Sequence, residues 1–175
     1  MKRTFLNSHF GQCVIGRTLT TESLHAMVGA KPEEPTVRHP TAAAIQRLDA
    51  IFGFSSNAYS QDWDIEFADG ARLAEFVSTY SNLIMDDDER FALMTLIIAS
   101  AHDALDFHNM GEAEWRTIHD LLVADFLLHA STIYYWCCVD ATCMDECFTL
   151  SPLMRAVWNE AVPDKEQMSA IPSGG

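Results

Sequence analysis

At 175 residues, with 49% hydrophobic and 21% charged residues, the chain is long enough to bury one sizeable core and too apolar to stay disordered. Its 25 acidic residues against 11 basic ones leave a formal net charge of −14, which disfavours nucleic acid and anionic membrane as partners, since both are polyanions. Most of that charge sits between Asp62 and Glu146, where 18 acids face three arginines (Arg72, Arg90, Arg116) and no lysine.

Residues 1–20 show no clear period and read as an N-terminal arm, with a short strand or hairpin near residues 4–15. Asn7, Ser8 and His9 interrupt any apolar stretch of the kind a secretory leader needs. Five cysteines, an odd number, point to a reducing compartment, and a cytoplasmic address is expected. Thr21 caps a short helix over 22–28 that Gly29 closes. Three prolines between Lys31 and Pro40 mark a loop, and Pro40 opens a helix through Phe52 with Ile45, Leu48, Ile51 and Phe52 on one face.

Asp62-Trp63-Asp64-Ile65-Glu66-Phe67 alternates acid and apolar, the period of a half-buried strand, so a strand is expected near residues 62–67 with three carboxylates on its outer face. Asp69 then caps a helix carrying Leu73, Phe76, Val77 and Tyr80 at i, i+3, i+4 and i+7. Asp86 to Glu89 place four negative charges at the next helix N-terminus, where the macrodipole favours them. The apolar residues from Phe91 to Leu105 spread around more than one face, marking a central helix. Gly111 separates it from a second long helix over roughly 112–138. Leu121 to Val139 approaches the length of a membrane span, but Asp125 and His129 near its middle favour a buried core helix instead. Ser151 and Pro152 start a last helix, and residues 163–175 read as a disordered tail. The expectation is a mainly α single domain covering 1–175, a bundle of five to six helices built on two long antiparallel core helices.

Candidate chemistry is sparse. Thiolates at Cys137, Cys143 and Cys147 are the donors of a metal alternative, although adjacent Cys137 and Cys138 cannot easily face one ion. Isolated thiols explain the cluster better, and no cofactor is expected. His102 and Asp106 share a helix face, as do Asp125 and His129. If the two long helices are antiparallel about Gly111, His102 faces His119, and His102, Asp106 and His119 (with help from His129) form an alternative acid–base or metal patch. Buried hydrogen-bonded couples explain the same spacing without chemistry. No nucleotide-binding, hydrolase or metalloprotease motif is present.

The function expected is that of an acidic protein-binding module. In size and charge it resembles bacterial immunity proteins and antitoxins, inhibitors that neutralise a basic partner such as a toxin, although no motif ties it to a family. Its partner-binding residues would be Asp62, Asp64, Glu66, Asp86, Asp87, Asp88, Glu112, Glu114, Asp140, Asp145 and Glu146, with any aromatic that surfaces among them serving as an anchor. The alternatives are the helical enzyme built on the His/Asp patch and a structural helical domain that forms a homodimer through its apolar helices.

Overall fold

The computed structural model describes residues 34–57, 60, 62–108, 110–141 and 143–162. The chain divides into two units, Met1–Pro32 and Glu33–Gly175, and all of the described residues lie in the second. The expected arm over 1–20, strands near 4–15, helix over 22–28 and tail over 163–175 fall outside the described residues.

Among the described residues the regular structure is entirely helical, with seven α-helices. Helix α1 (Ala42–Phe52) starts where the Thr41 hydroxyl accepts the Ala44 N–H, and stops at Gly53, whose φ of 72° suits a residue without Cβ. It buries Ala44, Leu48 and Phe52, while Ile51 faces outward.

The segment expected to be a strand is instead a short helix, α2 (Trp63–Glu66). Trp63 and Phe67 stand one helical turn apart, and both rings pack on Phe54, at centroid distances of 6.0 and 4.6 Å. Burying the indole requires a partner for its N–H, and Asp49 Oδ1 accepts it at 2.8 Å. These contacts outweigh the alternation: Trp63 is buried, but Ile65 stays 55% exposed, where a strand would have turned both the same way.

A 3₁₀ turn, Gly70–Arg72, leads into α3 (Leu73–Asn82). The turn is docked on the end of the central helix: Asp69 N–H donates to Ser100 Oγ at 3.1 Å and Gly70 N–H to Asp103 Oδ2 at 2.7 Å. The approach is so close that a Cβ on Gly70 would lie 2.7 Å from Ala104 N. The central helix, α4 (Asp87–Asp103), opens with a capping box in which Asp86 accepts the Glu89 N–H and Glu89 accepts the Asp86 N–H. Every residue from Phe91 to Ala101 is buried, because α1, α2, α3 and a later helix, α6, all pack against it. A five-residue π-helical turn, Ala104–His108, ends it.

The second long helix is not continuous. It breaks at Asp125 (φ −108°, ψ 30°) into α5 (Glu112–Ala124) and α6 (Phe126–Cys137). The last helix, α7 (Ser151–Ala161), lays Met154, Val157 and Trp158 against α6, with Trp158 edge-on to Phe126 and Tyr134. Ser151 does not act as the side-chain cap; its hydroxyl donates to the Trp136 carbonyl at 2.7 Å and joins α7 to the end of α6. Among the described residues no helix is long and apolar enough to cross a membrane.

Candidate functional site

The 34–41 loop, α2 and the C-terminal half of α6 surround a groove of about 700 Å³. Glu34, Asp62, Asp64 and Asp140 bring carboxylates to it, against Arg38 and His39. Arg38 is already committed, bound to Asp88 at 2.5 Å and lying 5.0 Å over the Phe91 ring. Exposed apolar groups stand among these acids: Ile65 on α2 and Tyr135, 64% exposed, on α6. Burial pushes the Asp64 carboxyl above its usual value, with a further push from neighbouring Asp62, so a cation entering the groove would favour its ionised form.

A second polar cluster sits at the helix break. Asp125 Oδ2 accepts from Arg90 and, at 2.9 Å, from Tyr80 Oη; His129 Nε2 lies 2.9 Å from the same phenol oxygen. The one phenol proton goes to the carboxylate, so His129 must donate through Nε2–H, which leaves its buried Nδ1 as an unpartnered acceptor. Burial lowers His129 to about 4, and Arg90 and Arg38 act in the same direction while Asp125 opposes them. Burial raises Tyr80, as does its bond to Asp125. Asp125 loses hydration, yet its bonds to Arg90 and Tyr80 hold its carboxyl below the usual range. At neutral pH the cluster therefore holds an ionised Arg–Asp pair, a neutral phenol and a neutral imidazole. It is a joint between α3, α4 and the α5–α6 break rather than an acid–base pair poised to transfer protons. The sequence spacing suggested a direct Asp125–His129 couple; the structure puts Tyr80 between them.

The alternative patch of His102, Asp106 and His119 is divided between two places. His102 Nε2 lies 3.7 Å from Asp106 and packs edge-on against Trp136 and Phe148. His119, on α5, meets Glu160 of α7 at 3.3 Å and its own neighbour Asp120 at 3.2 Å. The cause is packing: α5 lies against α7, whereas the end of α4 lies against the end of α6 and the loop after it. Among the described residues no group of three His, Cys, Asp or Glu side chains is placed to hold a metal ion. Cys137 is buried in the core, its thiol pushed up to about 12 by burial, while Cys143 is exposed.

The eleven acids singled out from the sequence also separate. Asp62, Asp64 and Asp140 share the groove; Glu66 is exposed on α2 but does not line it. Asp86 caps α4, Asp87 lies in its first turn, and Asp88 binds Arg38. Glu112 pairs with Arg116, and Glu114 accepts the Gly111 N–H. Asp145 and Glu146 are exposed on a 3₁₀ turn, Met144–Glu146. Alternation hid Ile65 by assigning it to a buried face, and the groove it borders was missed with it.

All six arginines among the described residues bind groups of this same chain. Arg38, Arg47, Arg72, Arg90 and Arg116 pair with Asp88, Glu89, Glu75, Asp125 and Glu112. Arg155 donates to the carbonyls of Cys137 and Cys138, both at 2.7 Å. Comparison with protein-family models, curated proteins and solved structures finds no match for the chain.

Proposed function

We propose that the protein is an acidic binding module that neutralises a basic partner protein, in the manner of an immunity protein or antitoxin, and that the groove around Asp62, Asp64 and Asp140 receives the partner. The observation that carries this reading is the placement of exposed Ile65 and Tyr135 among those carboxylates, while Arg38, the arginine that lines the groove, is paired with Asp88. Aromatic and aliphatic anchors supply contact area, and the carboxylates select and steer a cationic surface. A cytoplasmic location fits a partner met before it can act.

The test is direct titration with the basic protein encoded by the adjacent reading frame. Affinity should fall at least roughly tenfold between about 50 and 300 mM salt, as screening shortens the reach of the carboxylates. Replacing Asp62 and Asp64 together by lysine, or Tyr135 by alanine, should weaken it further. Binding indifferent both to salt and to these substitutions would remove the proposal. A second reading, a homodimer, is favoured by Leu127 and Ile84, which are 92% and 91% exposed. Sedimentation separates the two, because a monomer at micromolar concentration rules the dimer out.

A further inference from the structure

Three times in this fold an arginine is held between an aromatic ring and a carboxylate. Arg38 lies 5.0 Å over Phe91 and pairs with Asp88. Arg72 lies 5.2 Å from both Phe54 and Phe76 and pairs with Glu75 at 2.8 Å. Arg90 lies 4.3 Å over Tyr80 and pairs with Asp125. A guanidinium suits such places because its flat face stacks on a ring while its edge donates to carboxylate oxygens. It also gives up water more readily than an ammonium does.

The groove bordered by α2 and the end of α6 presents the same two components to a cation from outside. Tyr135 supplies the ring: it lines the groove, is 64% exposed, and is braced by Phe148 at 5.6 Å and Trp136 at 6.0 Å. Asp62 and Asp64 supply carboxylates, and neither pairs with a cation among the described residues. Tyr134 lines the groove as well; it is only 8% exposed, yet its buried hydroxyl has no hydrogen-bond partner. Such an orphan calls for a polar group from elsewhere. The groove is also deep, since Trp63, Phe91 and Trp136 line it and each is at most 3% exposed. A concavity of about 700 Å³ excludes a flat protein face and fits a projecting side chain with a short stretch of its own backbone. Arg38 lines the same groove, so one example of the ring-and-carboxylate arrangement already stands at its edge.

We infer that, given the binding function proposed above, the element entering this groove is an extended, arginine-bearing segment of the partner, its guanidinium taken between the Tyr135 face and the groove's carboxylates, and that the groove distinguishes arginine from lysine. Charge alone would treat the two alike. The ring is what separates them, because lysine brings a strongly hydrated point charge with no face to stack. The partly buried setting sharpens the difference: burial and the charge of Asp62 raise the Asp64 carboxyl, and the cation that relieves this must leave water to do so.

The experiment titrates the full chain with three capped pentapeptides, Gly-Ser-X-Ser-Gly, in which X is arginine, lysine or uncharged citrulline, and follows backbone amide chemical shifts. The arginine peptide should bind at least roughly fivefold more tightly than the lysine peptide, and the citrulline peptide should not bind measurably. Shifts should concentrate at residues 62–65 and 134–141. In Tyr135→Phe the preference should persist, whereas in Tyr135→Ala it should shrink to within about twofold. Equal affinity for arginine and lysine, binding of citrulline, shifts centred elsewhere, or no binding of the arginine peptide at millimolar concentration would each overturn the inference. The wild-type chain alone decides among these outcomes, so a variant that folds poorly does not obscure the answer. Titration with the basic partner keeps the two claims apart. A partner that binds and is weakened by lysine at 62 and 64, while the peptides show no preference, leaves the binding function standing and removes this inference. Arginine-selective peptide binding without any basic partner does the reverse.

Discussion

Replacing His129 by Gln tests whether the joint at the α5–α6 break makes the fold acid-sensitive. His129 is fully buried and neutral, with its value lowered from 6.5 to about 4. The folded state therefore binds fewer protons than the unfolded state between those values, and stability is lost as pH falls through that interval. At about 1.4 kcal/mol per unit, the loss from this one group between pH 7 and pH 4 is about 3 kcal/mol. Asp125 titrates below its usual value in the folded state, so the stability it contributes is lost only at still lower pH. Asp64 shifts the other way, but both proteins carry it and it cancels in the comparison. Gln keeps an N–H for Tyr80 Oη and removes the titration. Urea unfolding at pH 7, 6, 5 and 4 should show the wild-type free energy falling about 3 kcal/mol further than that of the variant. Parallel curves for the two proteins would refute the assignment of a neutral, buried imidazole.

Gly70→Ala places a Cβ 2.7 to 2.8 Å from the backbone of Ala104 and from Asp103 Oδ2, and should cost about 1–3 kcal/mol by chemical denaturation. Gly111→Ala, whose Cβ would meet only Glu114 Oε2 at 3.5 Å, is the control expected to change little. Asp86→Ala removes one half of the α4 capping box and should cost about 0.5–2 kcal/mol, seen as a lowered thermal midpoint. Trp63→Phe leaves Asp49 Oδ1 without its indole donor and empties part of the pocket beneath α2, a loss of about 1–3 kcal/mol that the urea midpoint reports.

The helical class was legible because three signals agreed along most of the chain. Caps at Asp69 and Asp86, the glycine stop after Phe52, and the apolar spread from Phe91 to Ala101 each point to the element that forms. Two features misled, for different reasons. At Asp62–Phe67 the period-two pattern is real, but Trp63 and Phe67 also satisfy a spacing of four, and the aromatic contact with Phe54 decides between them. The second long helix breaks at Asp125, whose carboxylate is held by Tyr80 and Arg90, residues 45 and 35 positions away, and no local window contains those partners. The candidate site was partly legible: Asp62, Asp64 and Asp140 are singled out by residue type, and a surfacing aromatic is expected among the acids without being identified as Tyr135. Their meeting with Ile65 in one groove depends on how α2 turns against α6, a tertiary fact.

The arginines carry one more consequence. Five of the six fasten one part of the chain to another, Arg116 pairs within its own helix, and together they cancel only six of the acids. The described residues contain 21 acids and six arginines, and carboxylates that lack a cation repel one another across a surface only tens of ångströms wide. At low ionic strength, where the Debye length is about 30 Å at 0.01 M, that repulsion reaches from one side of the molecule to the other. The isolated fold is thus held under an outward electrostatic pressure, which salt or a cationic surface relieves. Its stability should rise with added salt, opposite to a protein held together by surface ion pairs.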